Sequence, residues 1–233
     1  MIKKLVIGNW KMNGGRELAD LFLKRLSSAG GGIAVCVPYH LIVGARSRQL
    51  FGGQDCSAHA SGAYTGEVSA GMLSEAGAEY VIVGHSERRR YWSESDELVS
   101  QKAARAVECG ITPIICVGES AEEKEAGRTL EAVGASVKNS LPKISGPVVV
   151  AYEPLWAVGA GKTPAAADIR QVHEHAAFIL HEAGFGGCAV IYGGGVNEKN
   201  AKEIMSIPGV GGVLVGGASL DADKFQEIIN ARG

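Results

Sequence analysis

The sequence predicts an α/β protein of one domain, a closed (β/α)8 barrel of eight parallel strands. Three features carry that expectation. Short β-branched runs recur eight times along the chain, segments with helical period or helical boundaries lie between most of them, and 233 residues suit one domain of this kind. Uninterrupted apolar strands alternating with helices belong to a parallel sheet covered on both faces. Eight repeats in one domain-sized chain favour closure over an open sheet. No linker or shift in composition divides residues 1–233.

The strands are expected at Leu5–Ile7, Ile33–Val37, Phe51–Gln54, Tyr80–Val83, Thr112–Val117, Val148–Ala151, Ala189–Ile191 and Val213–Val215. The second and third lie close together, so the helix between them is expected to be truncated. Leu18, Leu21, Phe22 and Leu26 make one apolar helix face. Ser93 to Asp96 and Ser120 to Glu123 fit the capping-box pattern that starts a helix. Gly110, after Val107 and Cys109, reads as a C-terminal stop. Thr163 reads as an N-cap with Pro164 at the first helical position. Asn197 is expected to cap another helix, and Asp223 to Ala231 to close the chain.

Composition narrows the function. With 46% hydrophobic residues the chain can bury a large core, and disorder is excluded as a description. A net charge of −2, with both signs interspersed and no basic stripe, recommends neither nucleic acid nor an anionic membrane as partner. The five cysteines form no C-x-x-C pair, which suits reduced thiols in a cytosolic protein. No apolar signal region opens the chain, and no apolar run reaches the ~18 residues of a membrane span, so a cytoplasmic location is expected.

In such a barrel the chemistry sits where strands run out into the following loops. The first strand delivers Asn9 and Lys11, the fourth His85 and Glu87 with Arg88 beside them, and the sixth Glu153. Each has an ordinary explanation: a core histidine, a solvated charge run, a surface lysine, a carboxylate in a salt bridge. Gly193-Gly194-Gly195 and Gly216-Gly217 follow the seventh and eighth strands. Loop glycines usually mean tight turns, but backbone N–H groups at these two loops are also where barrels commonly hold phosphate. Gly161-Lys162-Thr163 is not a nucleotide P-loop, because Trp156 stands where that pattern needs glycine. No G-x-G-x-x-G fingerprint follows the first strand. His173 and His181 share a helix face but form no zinc pattern, so they are expected to be exposed, and no metal is expected.

Together, Asn9-Trp10-Lys11, Ser61 to Glu67, Gly84-His85-Ser86-Glu87-Arg88, Ala151-Tyr152-Glu153-Pro154, Trp156-Ala157-Val158-Gly159 and Tyr192-Gly193-Gly194 closely resemble the triosephosphate isomerase family, in the family's order and over essentially the whole chain. The resemblance implies a TIM barrel that interconverts dihydroxyacetone phosphate and D-glyceraldehyde 3-phosphate in glycolysis and gluconeogenesis, with no cofactor. It implies Glu153 as the base, neutral His85 as electrophile, Lys11 as positive charge near oxyanion and phosphate, Asn9 as hydrogen-bond donor, and Glu87 holding Lys11. Substrate phosphate is expected at Gly159, Gly195, Gly216 and Gly217. Pro154 to Pro164 resembles the family's closing lid, with Val158 to Gly161 as its tip. Ser61 to Glu67 resembles the arm by which two copies make a homodimer, with Thr65 near the partner's site.

Three departures stand out against that pattern. Gly195 replaces the usual serine, which removes a hydroxyl from the phosphate or the lid. Pro164 replaces a small hinge residue and restricts Thr163 before it. The chain is also short for the family, chiefly between the first helix and the third strand. Two rivals share the barrel: another phosphate-binding enzyme, such as a sugar-phosphate epimerase or an enzyme of tryptophan biosynthesis, and a scaffold with dead chemistry. The first would not need Lys11, His85 and Glu153 together, and the second is disfavoured because no catalytic position has been lost.

Overall fold

A computed structural model describes residues 4–26, 31–42, 50–157 and 163–232. The strands are β1 (Leu5–Asn9), β2 (Ile33–Cys36), β3 (Phe51–Gly52), β4 (Tyr80–Val83), β5 (Thr112–Val117), β6 (Val149–Tyr152), β7 (Ala189–Tyr192) and β8 (Gly212–Val215). The described helices are α1 (Arg16–Leu26), α2 (Ala70–Glu75), α3 (Ser86–Trp92), α4 (Asp96–Glu108), α5 (Ala121–Glu125), α6 (Thr129–Ser140), α7 (Ala166–Glu182), α8 (Ala201–Ser206) and α9 (Ala222–Asn230). Parallel pairing gives the order β3-β2-β1-β8-β7-β6-β5-β4.

The two edge strands meet through a parallel bridge between Gly53 and Val81, which closes the cylinder. The Gly53 N–H donates to the Tyr80 carbonyl at 2.9 Å, and the Ile82 N–H to the Gly53 carbonyl at 3.0 Å. Closure there depends on missing side chains: a Cβ on Gly52 would stand 2.6 Å from the Tyr80 carbonyl oxygen, and one on Gly53 2.8 Å from Leu73. β3 ends at Gly52, short of the expected Phe51–Gln54, and Gly53 enters the bridge to Val81 instead.

Side-chain alternation sorts each strand between two cores. Ile7, Ala34, Cys36, Ile82, Ile114, Cys116, Ala151, Ile191 and Leu214 fill the barrel interior. Their neighbours Val6, Val35, Val81, Ile115, Val150, Val190 and Val213 pack outward beneath the helices. Both faces are dry, which is why the strands read as unbroken apolar runs.

Several helix boundaries differ from expectation. The buried stripe of α1 runs through Ala19, Phe22 and Leu26, whereas Leu21 points to solvent, a helical step away from that stripe. Ser95, not Ser93, caps α4 by accepting from the Leu98 N–H; Ser93 instead ends α3 in the left-handed region at φ 54°. The capping box at Ser120 and Glu123 forms in both directions, and Gly110 terminates α4 at φ 74°. Thr163 and Pro164 precede α7, whose N-cap is Ala165, without a side-chain bond. Asn197 accepts from the Lys199 and Asn200 N–H groups in a turn just before α8, and Asn200 takes the cap position. After β2 the described chain makes one 3-10 turn, Tyr39–Leu41; residues 43–49, where the truncated helix was expected, lie outside the described residues. His173 is fully buried on α7, against the expectation of exposure, because that face packs on Tyr152 and Tyr192; His181 is exposed. No described helix is long and apolar enough to cross a membrane.

Candidate active site

Three strand ends converge. After β1 the chain turns through Lys11 in the left-handed region at φ 53°, held by the Lys11 N–H donating to Asn9 Oδ1 at 3.0 Å and by Gln54 Nε2 donating to the Lys11 carbonyl at 2.8 Å. Buried Trp10 anchors this turn by donating from Nε1 to the Ser219 carbonyl at 2.7 Å, beyond β8. After β4, His85 becomes the N-cap of α3. After β6, the Glu153 N–H donates to the Val117 carbonyl at 2.7 Å, which continues the β5–β6 ladder by one residue.

His85 Nε2 lies 3.1 Å from Glu153 Oε1, and both side chains are almost wholly buried. The other carboxylate oxygen of Glu153 accepts from the Ser86 N–H at 3.4 Å. Lys11 Nζ donates to Glu87 Oε1 at 2.6 Å. All four of Asn9, Lys11, His85 and Glu153 line one cleft of about 290 Å³, faced by Gly193–Gly195, Gly216 and Gly217.

Electrostatics tie these groups together. Burial pulls the His85 pKa down, but the charge and hydrogen bond of Glu153 outweigh it and leave it raised. Burial likewise pushes Glu153 up, yet the pairing with His85 and the Ser86 N–H hold it below the usual carboxylate range. The Glu87 N–H donates to His85 Nδ1 at 3.2 Å, so Nδ1 carries no proton and the neutral ring carries its proton on Nε2. A second proton would set two N–H groups against each other at the first turn of α3, where the helix dipole also opposes it, whereas anionic Glu153 beside Nε2 and the Glu87 carboxylate 3.6 Å from Nδ1 favour it.

On the far wall, Gly217 opens a 3-10 turn, Gly217–Leu220, and a Cβ on Gly216 or Gly217 would meet nothing within 4 Å. The N–H groups of Gly195, Gly216 and Gly217 have no acceptor among the described residues. The Gly195 carbonyl is held by Asn200 Nδ2 at 2.8 Å. Gly159 and the lid tip lie outside the described residues. Ser61 to Glu67 is an exposed loop, with its base closed by the Ser57 N–H to the Val68 carbonyl at 2.8 Å and His59 stacked on Tyr64 at 3.8 Å.

Two clusters were not anticipated. Glu119, fully buried past β5, accepts from Trp156 Nε1 at 2.8 Å and Tyr152 Oη at 3.2 Å, which pins the chain just after Glu153. Its position at a strand end was the available signal. Asp55, Arg88, Glu94 and Lys102 form an ion network with Lys102 2.9 Å from Asp55 and 2.6 Å from Glu94, and Arg88 Nε 2.8 Å from Asp55. Burial pushes the Asp55 carboxyl up to about 6, Lys102 opposing and Glu94 adding. No local pattern announces this network.

A closed parallel barrel with a carboxylate, an imidazole and an amine at one mouth, facing free backbone N–H groups, is a (β/α)8 enzyme equipped to move protons on a small anionic substrate. The family model described as triosephosphate isomerase matches residues 4–232. The triosephosphate isomerase of Herminiimonas arsenicoxydans is 44% identical, covering 99% of this chain and all of that protein, and that of Albidiferax ferrireducens 46%, covering 98% of each. Those alignments span 247 and 245 residues, so this chain is shorter than the span it matches. The crystal structure of triosephosphate isomerase from Bartonella henselae superposes with a TM-score of 0.89 at 36% identity over 99% of both chains. The chain belongs to the triosephosphate isomerase family. It is an isomerase that interconverts dihydroxyacetone phosphate and D-glyceraldehyde 3-phosphate, a step of glycolysis.

Proposed function

We propose that Glu153, His85, Lys11 and Asn9 carry this isomerisation, with the N–H groups of Gly195, Gly216 and Gly217 holding the substrate phosphate. The reaction moves a proton between adjacent carbons through an enediolate. Glu153 takes the proton from one carbon and returns it to the other. Neutral His85, with its proton on Nε2, donates a hydrogen bond to the developing oxyanion, a division of roles inherited from the family. Lys11 adds positive charge at the oxyanion and phosphate, and Glu87, 2.6 Å from its ammonium, keeps that charge in place. Asn9 Oδ1 is occupied by the Lys11 N–H, which leaves its amide NH2 free to donate to substrate. Gly159 joins the phosphate when the lid closes and excludes water from the enediolate.

One observation carries these assignments: three groups from strands far apart in sequence line a single cleft of about 290 Å³. A coupled assay with glyceraldehyde 3-phosphate tests them. Glu153→Gln keeps the shape and removes the base, so kcat falls by about 10³-fold or more. Retention of turnover by that variant would refute the assignment of the base.

Residues 1–233 work as one domain, and the protein acts in the cytoplasm as a homodimer whose 61–67 arm enters the partner. The exposure of Ser61 to Glu67 supports the arm. Sedimentation of the native chain against an arm-shortened variant tests it. A native chain that sediments as a monomer would refute it.

A further inference from the structure

We propose that Arg89 is a positioning residue that sets the spacing between His85 and Glu153; the inference rests on the roles given to those two groups above. The β4–β5 ladder pairs Tyr80 with Thr112 and ends at Val83 with Ile115. One residue further, Gly84 and Cys116 carry carbonyls past the last ladder pair. Arg89 takes both: Nε donates to the Gly84 carbonyl at 2.8 Å and Nη2 to the Cys116 carbonyl at 3.2 Å. The guanidinium therefore extends the barrel seam where the ladder stops.

Each end of that splice leads to a reacting group. Gly84 directly precedes His85. Cys116 pairs with Ala151 and Val117 with Tyr152, and the Val117 carbonyl then takes the N–H of Glu153. The guanidinium is itself fixed by Asp96 Oδ1 on Nη1 at 2.6 Å and Ser140 Oγ on Nη2 at 3.1 Å, while Asp96 also accepts from the Ser136 and Ser140 hydroxyls. A Cβ on Gly84 would meet Val99 at 2.6 and 2.8 Å and Nη2 at 3.0 Å, so the turn leaves no space for a side chain beside the guanidinium. Only a planar fork offers donors in these fixed directions; an ammonium at the end of a flexible stem does not. A cleft of about 390 Å³ bordered by Arg89, Gly84, Cys116, Glu153 and Leu155 lies alongside.

Arg89→Lys retains charge and loses the fork, and Arg89→Ala empties the place of the guanidinium. A displacement of base against electrophile lowers kcat by about 10²-fold, because misplacement near 1 Å costs that much, while phosphate binding and hence KM stay put. Added guanidinium ion, entering through the adjacent cleft, raises the kcat of Arg89→Ala; urea at the same concentration does not. Circular dichroism establishes that the variants are folded, and Arg89→Lys carries the test should Arg89→Ala fail to fold. Wild-type kcat in folded Arg89→Lys, a loss shared equally by KM, or no recovery of folded Arg89→Ala by guanidinium would each overturn the clamp. Glu153→Gln separates the layers: an inactive Glu153→Gln beside a fully active Arg89→Lys overturns the clamp alone, whereas an active Glu153→Gln overturns the roles beneath it.

Discussion

Replacing His173 with leucine removes a group that weakens the fold increasingly as pH falls. The ring lies on α7 between Tyr152 and Tyr192, at centroid distances of 6.0 and 6.5 Å, with no exposed surface. Burial pulls its pKa down to about 4. Backbone groups of Gly209 and Val190 pull the other way, without giving either ring nitrogen a hydrogen-bond partner among the described residues. The unfolded chain takes up the proton near the ordinary pKa of about 6.5 and the folded chain only near 4. Between those values the unfolded state binds more protons, so stability rises with pH. The full contribution is present above 6.5, is lost on descent to about 4, and is flat below, amounting to about 3 kcal/mol at 1.36 kcal/mol per pH unit. Asp55 works with the opposite sign: its folded pKa of about 6 lies above the ordinary 3.8, so its native state is favoured as pH falls through that window. Both proteins contain Asp55, and the wild-type-minus-variant difference cancels it if the two sites are independent. Urea unfolding at fixed protein concentration, from pH 8 to 4.5, isolates the histidine. Wild type should lose about 2 to 3 kcal/mol relative to His173→Leu over that range. A difference that stays constant with pH would refute the account of a neutral, sealed imidazole.

Ser93→Gly should stabilise the protein by about 1 kcal/mol, since Ser93 holds the left-handed conformation at φ 54° that glycine adopts without strain; thermal unfolding reads the gain, and no gain refutes the strain. Gly195→Ser restores a hydroxyl beside the phosphate wall and should lower KM by about two- to tenfold, the worth of one net hydrogen bond. Unchanged substrate affinity and lid order would count against that contact. If buried Pro164 restricts Thr163 and so stiffens a hinge there, Pro164→Ala should speed lid opening as seen by relaxation dispersion, and equal rates would dismiss the effect.

Strands could be read because a parallel barrel buries both faces of each one: Tyr80–Val83 and Thr112–Val117 are apolar whatever they pair with. The capping box at Ser120 was equally plain, since both of its bonds close within four residues. Ser93-Glu94-Ser95-Asp96 offered two serines, and the choice fell to Ser95 because Ser93 must turn the chain out of α3. His173 was misread for a related reason. Its burial is decided by Tyr152 and Tyr192, which no spacing along α7 reveals.

The same division runs through the candidate site. Residue order alone places Asn9, Lys11, His85 and Glu153 at strand ends, because a strand's end is a local property of the chain; the roles expected of them came from the family resemblance. The 3.1 Å between His85 and Glu153, the tautomer set by the Glu87 N–H, the grip of Glu119 on Trp156 and the reach of Arg89 across two strand ends exist only after Gly53 meets Val81 and the cylinder shuts. Local chemistry is written within a few residues. Distances between strand ends are set by closure, which every strand and covering helix decides together.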